Sequence, residues 1–417
     1  MTHDWLIPAL ADPPPEALDM MRLSLVDWAA CGIAGRSEPV AQITRAMALD
    51  EGGTAQASLF GGGQVPARAA ALVNGATSHA LDYDDTHFAH IGHPSVAVNS
   101  AALAMAQLQG ADFDAFWRAC LAGCEASIRI GLELGRGHYQ VGFHQTGTAG
   151  AFGATVAAGV LLGLTKGQMA HAIGLVSTRA SGLKSQFGTM GKPYNAGIAA
   201  SNGVEAALLA SRGFISNPDA LTGQNGFLPT HHADGTGAQP DGWLMTQISH
   251  KFHACCHGLH AVLEAVETLK PCDPAAIERI DIATHPRWLT VCNLPDPKTG
   301  LEAKFSYRAV VALSLLGFDT AALSTYEDVV LSHPELAGLQ SKINVTGDAG
   351  LPETASRISI VSSESVAAYF DLNSPIDVQT RSAKIKSKAK ALTGDDALWH
   401  AVANENLQQI VALIGAA

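Results

Sequence analysis

Residues 82–95 hold a dense set of side chains that can carry protons, in the segment Asp-Tyr-Asp-Asp-Thr-His-Phe-Ala-His-Ile-Gly-His-Pro-Ser. Three aspartates and three histidines fall within this segment. Imidazoles titrate near neutral pH, and carboxylates beside them can exchange protons with them or can join them in binding a metal ion. The segment therefore predicts either acid–base catalysis or a metal site.

The flanks of this segment predict that it is buried. Residues 67–81 and 95–107 are rich in small apolar residues, and both have helical character. A polar loop between two such helices must find partners or a chemical use, because an unpaired buried polar group is costly. A structural role stays open as an alternative, in which the aspartates cap the second helix and His93 makes a tight turn before Pro94.

Two more candidate residues stand directly before predicted helices. His144 precedes an apolar helix over 148–163, and the amides at such a helix start, together with Thr146, favour a bound carboxylate. The alternative for His144 is to cap this helix; Tyr139, in the same block, is a weaker candidate for an acid. Lys192 lies in a Gly-Lys-Pro turn between two helices that are predicted to be buried, which indicates a positive charge pointed into a cavity.

A histidine cluster near residue 255 keeps the metal alternative open. His253, His257 and His260 are spaced by four and three positions, so they would share one face of a helix. Combined with the aspartates and histidines of 82–93, this pattern predicts a metallohydrolase as the alternative to metal-free acid–base chemistry. No recognised metal motif accompanies it.

The elements that must position these residues divide into two parts. A chain of 417 residues exceeds one ordinary core, so we expect two domains. Residues 1–245 show one helical pattern after another, whereas residues 246–394 alternate β-rich runs with helical patterns. The helical stretch 395–417 is predicted to pack back on the first domain. The predicted fold is therefore mainly α, with a large all-helical domain and a smaller α+β domain.

Composition excludes several classes of function. The formal net charge of −12 disfavours nucleic acid and anionic membranes as partners. The seven cysteines include no CxxC pair and are odd in number, which is typical of reduced thiols. Residues 1–16 have no basic region followed by an apolar one, and no later stretch is long and apolar enough to span a membrane. We therefore expect a cytoplasmic protein.

Further blocks of sequence indicate a family. They are GHYQVGFHQTGTAGAFGA at 137–154, FGTMGKPYNAG at 187–197, KFHACCHGLHA at 251–261 and EAKFS at 302–306. With the 82–95 segment, they resemble the MmgE/PrpD family, whose members include 2-methylcitrate dehydratase, cis-aconitate decarboxylase and iminodisuccinate epimerase. The resemblance implies a homodimer in which the second domain forms a lid over a cleft in the helical domain. It also implies a small di- or tricarboxylate substrate and chemistry without a metal or an organic cofactor.

The resemblance also implies roles for individual residues. It maps site residues onto Asp82, Thr86 and His93, and it places a catalytic or carboxylate-binding lysine at Lys192. In the block that opens the second domain it implies a lysine and a histidine, for which Lys251 and the nearby imidazole of His257 are the candidates. Joined with the candidates above, the predicted catalytic residues are Asp82, His93, His144, Lys192 and His257, and the predicted substrate-binding residues are Thr86, Tyr139, Thr146 and Lys251.

Three departures from the family pattern bear on the reaction. One residue is inserted between Thr86 and His93 relative to the decarboxylase, and the loop then matches that of the epimerase. Cys256 stands where the decarboxylase has a histidine, and Ala309 stands where it has a tyrosine. Tyr307 is displaced from that position by two residues, which on a helix turns it about 200° away.

The predicted reaction begins with removal of a proton from a carbon next to a carboxylate. It needs a base within hydrogen-bonding reach and cations that stabilise the growing negative charge. Loss of water, as in 2-methylcitrate dehydratase, is the first prediction. Epimerisation of an iminodisuccinate-like amino dicarboxylate and decarboxylation of the cis-aconitate type are the alternatives, and the metallohydrolase is the alternative from a different class.

Overall fold

The computed structural model describes Leu6 and residues 13–237, 239–269 and 273–416. The chain divides into two units, Met1–His250 with Thr393–Ala417, and Lys251–Leu392. It is 57% helical, with a small mixed sheet in its C-terminal region. This confirms the predicted fold class, which is mainly α with a smaller α+β part.

Helices dominate the first unit, and several of them begin where proline sets the first turn. Because proline has no N–H group and a fixed φ, it suits the first position of a helix. In chain order the helices are α1 (Pro15–Gly35), α2 (Pro39–Glu51), α3 (Ala67–Ser78), α4 (Pro94–Gln109), α5 (Phe113–Gln140), α6 (Gln145–Leu161), α7 (Lys166–Val176), α8 (Gly191–Ser211) and α9 (Phe227–Thr230). The strands β1 (Ala57–Ser58) and β2 (Gln64–Val65) form an antiparallel pair between α2 and α3.

Small residues let the central helices approach closely. A Cβ atom added to Gly75 of α3 would lie 2.9 Å from Gly197 Cα of α8, and one added to Gly197 would lie 2.3 Å from Leu72 O. In the same way, a Cβ on Gly123 of α5 would meet Gly153 O of α6 at 2.6 Å. Backbone therefore packs directly on backbone, which explains the high glycine and alanine content that the sequence shows.

Two helices show how burial and backbone breaks shape this bundle. The helix α6 is buried on all sides from Gln145 to Gly159, as its apolar sequence predicts. The helix α5 contains a break at Gly135, whose φ of 67° lies in the left-handed region that favours glycine. Helical structure thus resumes after the break and continues to Gln140.

The second unit is built on a four-stranded sheet. Its strands are β3 (Arg279–Thr284), β4 (Ile343–Gly347), β5 (Ala355–Val361) and β6 (Ser365–Asp371), in the spatial order β4-β3-β5-β6. The β3–β4 pair is parallel and the other pairs are antiparallel. The helices of this unit are α10 (His260–Thr268), α11 (Pro286–Val291), α12 (Gly300–Ala303), α13 (Tyr307–Leu315), α14 (Leu336–Gln340) and α15 (Val378–Thr393), and α10 packs on β5 and β6.

The prediction that three histidines share one helical face is wrong. The helix α10 begins at His260, residues His257–Leu259 form a 3-10 turn, and His253 lies in neither. The amide of Ala254 donates to Thr320 O, and that of Cys256 donates to Lys304 O, so this backbone bonds to distant carbonyls instead of forming a helix. The rings still meet, because His260 lies 5.1 Å from His253 and 4.9 Å from His257, centroid to centroid.

The last two helices, α16 (Ala397–Ala403) and α17 (Leu407–Ile414), return to the first unit and pack against α1. Within the part of the chain that the structure describes, no helix combines the length and the apolar character needed to cross a membrane. Six cysteines in this part are free thiols, and Cys272 lies outside the described residues.

Candidate active site

The polar segment at 82–93 lies between α3 and α4, and it ends at His93. His93 stands just before Pro94, the first residue of α4, and has the extended backbone that a following proline favours, with φ −113° and ψ 98°. Its side chain makes no capping bond to the helix. Its backbone N–H donates to Thr146 Oγ1 at 3.1 Å, which ties the loop to the start of α6.

One carboxylate lies between two imidazoles in this loop. Asp84 Oδ1 accepts a hydrogen bond from His79 Nδ1 at 2.9 Å, and Asp84 Oδ2 lies 2.8 Å from His93 Nδ1. An ionised carboxylate can only accept hydrogen bonds, so His79 carries a hydrogen on Nδ1. The contact between His93 Nδ1 and the same anion is not aligned as a hydrogen bond, but an anion at this distance favours a hydrogen on that nitrogen too, which leaves Nε2 as the acceptor in both rings. The two rings meet edge to face, with centroids 4.6 Å apart.

The neighbours of Asp84 also fix its charge. The residue is fully buried. Burial alone would raise the pKa of Asp84, but His79 and His93 hold this pKa well below its usual range. Asp84 is therefore ionised at neutral pH, and it stabilises a positive charge on either imidazole.

Asp82 joins His93 to a lysine. Its φ of 52° lies in the left-handed region, which aspartate tolerates better than most other residues. Lys192 Nζ lies 2.7 Å from Asp82 Oδ1, and His93 Nε2 lies 3.4 Å from the same oxygen. The Lys192 side chain is only 16% exposed, whereas that of Asp82 is 47% exposed. The ammonium group is thus held mostly out of water, in contact with a carboxylate that still reaches solvent.

Lys192 is placed by the first turn of α8. Its N–H donates to Thr189 O, and its Nζ lies 5.6 Å from the ring centroid of Phe187, within the range of a cation–π contact. The same ring meets that of His144 edge to face at 5.0 Å. Phe187 therefore forms a shared apolar wall for the lysine and for the second predicted histidine.

His144 carries its hydrogen on the opposite nitrogen from His93. The Asn195 Nδ2 amino group lies 3.1 Å from His144 Nδ1 and 3.4 Å from Leu183 O. A carbonyl oxygen can only accept, so Leu183 favours the amide orientation in which Asn195 donates to both groups. His144 Nδ1 is then an acceptor, and the hydrogen of the neutral ring lies on Nε2.

His144 is neutral for electrostatic reasons. Burial, together with His79 and Lys192 nearby, lowers its pKa well below the usual histidine value. Its ring stacks on that of His79 at a centroid distance of 6.0 Å. Although His144 stands directly before α6, its side chain makes no capping bond there. The capping alternative is therefore not supported, and the ring is a neutral hydrogen-bond donor.

The other two histidines of the loop have structural surroundings. His87 Nδ1 accepts from His90 N at 3.2 Å, and His90 Nε2 lies 3.1 Å from Ser127 Oγ. Burial lowers the pKa of His87 to about 4 and that of His90 to about 3, so both rings are neutral. They hold the loop in place and belong to its core.

Asp85 fulfils the structural alternative that was considered for the aspartates. It is fully buried and accepts from Ser95 N, near the start of α4, and from Ser95 Oγ. Burial and the nearby Asp27 raise the pKa of Asp85 to about 7. Since a free aspartate titrates near pH 4, folding favours its protonated form, and this contribution to stability is lost as pH rises from about 4 to about 7.

We therefore expect Asp85→Asn to become more stable relative to the wild type as the pH rises. Asparagine imitates the protonated acid and can still accept from Ser95 N. Between pH 5 and pH 8 the variant should gain about 2 kcal/mol on the wild type in the free energy of unfolding, measured by urea titration at both values. Asp19→Asn, an exposed site on α1, is the control. A difference that stays constant with pH would contradict the prediction.

The remaining predicted residues of the first unit make bonds of their own. Thr86 forms a two-way backbone bridge with Ser249 and also donates from Oγ1 to Ser249 O at 3.2 Å. Tyr139 lies under Lys184, whose Nζ is 3.8 Å from the ring centroid and donates to Tyr139 O. The structure therefore brings Asp82, His93, His144, Lys192 and Thr146 into one region and gives Thr86 and Tyr139 contacts beside it.

Lys251 and His257 are the predicted site residues of the second unit. Lys251 is 3% exposed, and its carbonyl accepts from Lys388 Nζ at 2.8 Å. His257 is half-buried beside the fully buried His260, and burial, together with His257 and His253, lowers the pKa of His260 well below the usual value. Lys251 stays a predicted binding residue.

The tyrosine that is displaced in the sequence is part of the core. Tyr307 is fully buried, its hydroxyl donates to Gly258 O at 2.8 Å, and it lies 2.9 Å from Thr284 Oγ1. Ala309, at the position where relatives have tyrosine, is also fully buried. Tyr307 therefore does not supply the missing hydroxyl within its unit.

Four side chains of the first unit lie close enough together to bind a cation. His79, Asp82, Asp84 and His93 each offer a nitrogen or oxygen atom, and these atoms lie within 4.8 Å of one another. Such a mixed set suits zinc, manganese or iron. However, His79 Nδ1 already donates to Asp84, His93 Nδ1 lies 2.8 Å from the same carboxylate, and the ammonium of Lys192 contacts Asp82. A divalent ion here would have to displace that ammonium.

Sequence reasoning missed two residues of this site. His79 follows α3 directly, three positions before Asp82, and is the ring that contacts both His93 and His144. Its position at the end of an otherwise small and apolar helix was a usable signal. Asn195 follows Lys192 by three positions on α8, so the same helix face predicts that the two side chains are neighbours.

Comparisons with known proteins show which proteins this chain is similar to. Cis-aconitate decarboxylase from Aspergillus terreus is 28% identical over 370 residues, which cover 80% of this chain and 75% of the relative. The human cis-aconitate decarboxylase is 27% identical over 307 residues, with 68% of this chain and 62% of the relative covered. A 2-methylcitrate dehydratase from Salmonella typhimurium is 28% identical over 369 residues, which cover 78% of this chain and 73% of the relative.

Two family domains match in their expected order. The MmgE/PrpD N-terminal domain matches residues 8–237, and the MmgE/PrpD C-terminal domain matches residues 253–386. Together they account for most of the sequence, and the first contains every residue of the cluster around Asp84. The chain therefore belongs to the MmgE/PrpD family.

Proposed function

We propose that this protein is a lyase that acts on a small di- or tricarboxylate and starts by removing a proton next to a carboxylate. The observation that carries the proposal is that a lysine, an imidazole backed by a buried carboxylate, and a neutral imidazole donor lie in one region of the first unit. Relatives named as a decarboxylase and a dehydratase support the same class of reaction. In this proposal no step passes through a metal or an organic cofactor.

His93 is the proposed base. Its Nδ1 atom lies 2.8 Å from the Asp84 anion, which favours a hydrogen on that nitrogen and leaves Nε2 with the lone pair that accepts a proton. Proton uptake would make an imidazolium beside the buried Asp84 anion, which stabilises it. Asp82 Oδ1, 3.4 Å from His93 Nε2, can then accept the proton from the imidazolium.

Lys192 and His144 are the proposed groups for charge stabilisation. As a proton leaves the carbon, negative charge builds on the adjacent carboxylate, and an ammonium that is mostly withdrawn from water stabilises this charge strongly. The neutral His144 donates through Nε2–H, either to the carboxylate or to a leaving hydroxyl group. Thr146, in the first turn of α6, is proposed to take part in carboxylate binding.

The second step distinguishes the possible reactions. In a dehydratase, the electron pair left on carbon forms a double bond while the hydroxyl group leaves with a proton as water. In a decarboxylase, the removed proton returns to another carbon, after which a carboxylate leaves as carbon dioxide and the carbon that carried it takes up a second proton. In an epimerase, a proton returns to the same carbon on its other face. We put the dehydratase first, and the loop length before His93 keeps the epimerase as the alternative.

A substrate panel followed by proton NMR in deuterium oxide tests this proposal. The panel contains 2-methylcitrate, cis-aconitate and an iminodisuccinate-type amino dicarboxylate. We expect 2-methylcitrate to give a new alkene signal. Deuterium exchange without an alkene would replace the dehydratase by the epimerase, and carbon dioxide release from cis-aconitate would favour the decarboxylase. No change in any of them would contradict the proposed substrate class.

The second candidate function is a metal-dependent hydrolase, which the cluster of His79, Asp82, Asp84 and His93 favours. Elemental analysis of freshly purified, untagged protein separates the two. Stoichiometric zinc, manganese or iron, lost together with activity on chelation, would support the hydrolase. We expect substoichiometric metal and activity that resists chelators.

We also propose that the protein is a homodimer, because of its family and because its helical domain is more apolar than a monomer surface tolerates. Nucleic acid and membranes are not proposed as partners, given the net charge of −12. A cytoplasmic location is proposed because an odd number of cysteines without a CxxC pair is typical of reduced thiols. Analytical sedimentation at micromolar concentration tests the oligomeric state, and a monomer there would contradict it.

A further inference from the structure

We propose that Asp84 and His79 form a positioning pair for His93, in which one carboxylate accepts a hydrogen bond from His79 Nδ1, contacts Nδ1 of His93 and so favours the tautomer of the base with its hydrogen on Nδ1. The inference rests on the proposed role of His93 as the base. It adds Asp84 and His79 to the site. Neither residue is proposed to bind the substrate, and neither belongs to the ion pair of Lys192 and Asp82.

The geometry leaves little freedom to the three groups. Asp84 Oδ2 lies 2.8 Å from His93 Nδ1, and both Asp84 oxygens lie within reach of His79 Nδ1, at 2.9 and 3.1 Å. All three residues are buried, with exposures of 0% for Asp84, 1% for His79 and 8% for His93. Water therefore cannot substitute for either imidazole, and rotation of the carboxylate would break one of its bonds.

A single histidine on Asp84 would position it less well than two. With His93 alone, the carboxylate could rotate about its Cβ–Cγ bond, and His93 could turn with it. His79 Nδ1 reaches both carboxylate oxygens, at 2.9 and 3.1 Å, and so restrains that rotation. A carboxylate beside Nδ1 of a histidine base is known to matter for catalysis, because it fixes both the tautomer and the orientation of the ring.

The charge balance also favours this arrangement. When both rings are neutral, the trio carries one buried negative charge. When His93 accepts the substrate proton, an imidazolium pairs with the carboxylate and the trio becomes neutral. Proton uptake thus removes a buried net charge instead of creating one, and the free energy of the step is lowered accordingly.

The ring of His79 lies between the two other imidazoles of the site. It contacts the rings of both His93 and His144, at centroid distances of 4.6 and 6.0 Å. Its Nε2 atom is buried and has no hydrogen-bond partner among the described residues, as is also true of one nitrogen in each of the core histidines His87 and His90. The position of the ring beside the proposed base and the proposed donor, and not the unpaired nitrogen, therefore links His79 to the proposed chemistry.

The first experiment is Asp84→Asn in the full-length protein. Asparagine has nearly the same shape, but it offers one acceptor and one donor and cannot accept from both Nδ1–H groups. We expect kcat to fall by about 10²- to 10⁴-fold, as for the loss of a histidine-orienting aspartate, with KM changed less than threefold. In ¹⁵N NMR of histidine-labelled protein, the signal of His93 is identified as the one that is missing in His93→Gln. In Asp84→Asn we expect this signal to change from that of the Nδ1–H tautomer to that of the Nε2–H tautomer.

The second experiment uses two variants of His79. His79→Leu removes the donor, whereas His79→Asn keeps an amino group near the position of Nδ1. We expect the leucine variant to lose about 10- to 100-fold in kcat, and the asparagine variant to recover most of this loss. His171→Asn, whose ring bonds to Ser216 O at 3.0 Å in another part of the first unit, is the matched control and should keep normal kcat and KM.

The outcomes separate this inference from the proposed function. An Asp84→Asn enzyme with kcat within threefold of the wild type and an unchanged His93 tautomer would overturn the positioning pair while the proposed function stands. The wild-type protein could also turn over no compound of the panel while His93 shows the Nδ1–H tautomer and Asp84→Asn abolishes it. This outcome would contradict the proposed function and leave the positioning pair in place. If Asp84→Asn does not fold, equal losses in His79→Leu and His79→Asn would overturn the inference.

Discussion

Replacing Lys192 with alanine is expected to abolish turnover while leaving the fold intact. The ammonium is the cation that lies beside the proposed base, and its side chain is only 16% exposed, so its electrostatic effect is weakly screened by water. Loss of such a group from the place where negative charge develops should reduce kcat by about 10³-fold or more. Steady-state kinetics on the substrate that the NMR panel identifies will measure this.

The fold should tolerate this change. Asp82, the partner of Lys192, has a side chain that is 47% exposed and can be hydrated when the lysine is absent. An ion pair with one exposed partner contributes about 0–1 kcal/mol to stability, so the thermal midpoint should hardly move. Lys166→Ala, an exposed lysine at the start of α7, is the control and should leave kcat unchanged. A Lys192→Ala enzyme with near-normal kcat would remove the centre of the proposed site.

The second large effect concerns the two histidines with opposite tautomers. We expect His93→Gln to stop exchange of the substrate proton with deuterium oxide, with a loss of about 10³-fold or more, because glutamine offers no comparable base. We expect His144→Gln to retain exchange and to lose about 10²-fold in formation of the product, because a neutral donor is weakened but the base remains. Both rates are read in the same NMR experiment.

Comparing the two rates in each variant provides the internal control. A His93→Gln enzyme that still exchanges the proton would mean that another group is the base, and Asp82 would be the first candidate. If instead exchange is lost in His144→Gln and kept in His93→Gln, the two roles are reversed, and the tautomers inferred from Asp84 and Asn195 would be wrong.

The burial of the polar segment at 82–95 could be predicted from the residues on either side of it. Its flanks are so rich in small residues that the segment between them had to be buried, and a buried group of aspartates and histidines has few uses. The helical pattern likewise predicted α4, α6 and α8, because apolar residues on all faces indicate a helix inside a bundle. Three of the predicted residues, Asp82, His93 and Lys192, are in direct contact in the structure.

Other features depend on tertiary partners that no local pattern encodes. The spacing of His253, His257 and His260 predicted a helix. Instead, backbone N–H groups of this segment donate hydrogen bonds to carbonyl oxygens far away in the sequence. His79 looked like the end of a helix, and its pairing with Asp84 follows from how the chain turns after Ser78. The stretch 217–236 is rich in turn-forming residues, yet Leu221 and Phe227 within it are buried in the core of the first unit.

The close approach of α3 and α8 has a consequence for how this site tolerates change. The segment that contains His79 leaves the end of α3, and Lys192 lies at the beginning of α8, so the contact between Gly75 and Gly197 sets how far apart these ends are. No compressible side chain lies at that contact to absorb a shift. A random screen for inactive variants should therefore recover alanine at Gly197 as readily as changes in the ionisable groups, although that glycine touches no reactant. The accuracy of the site is in this sense a property of residues that have no chemistry of their own.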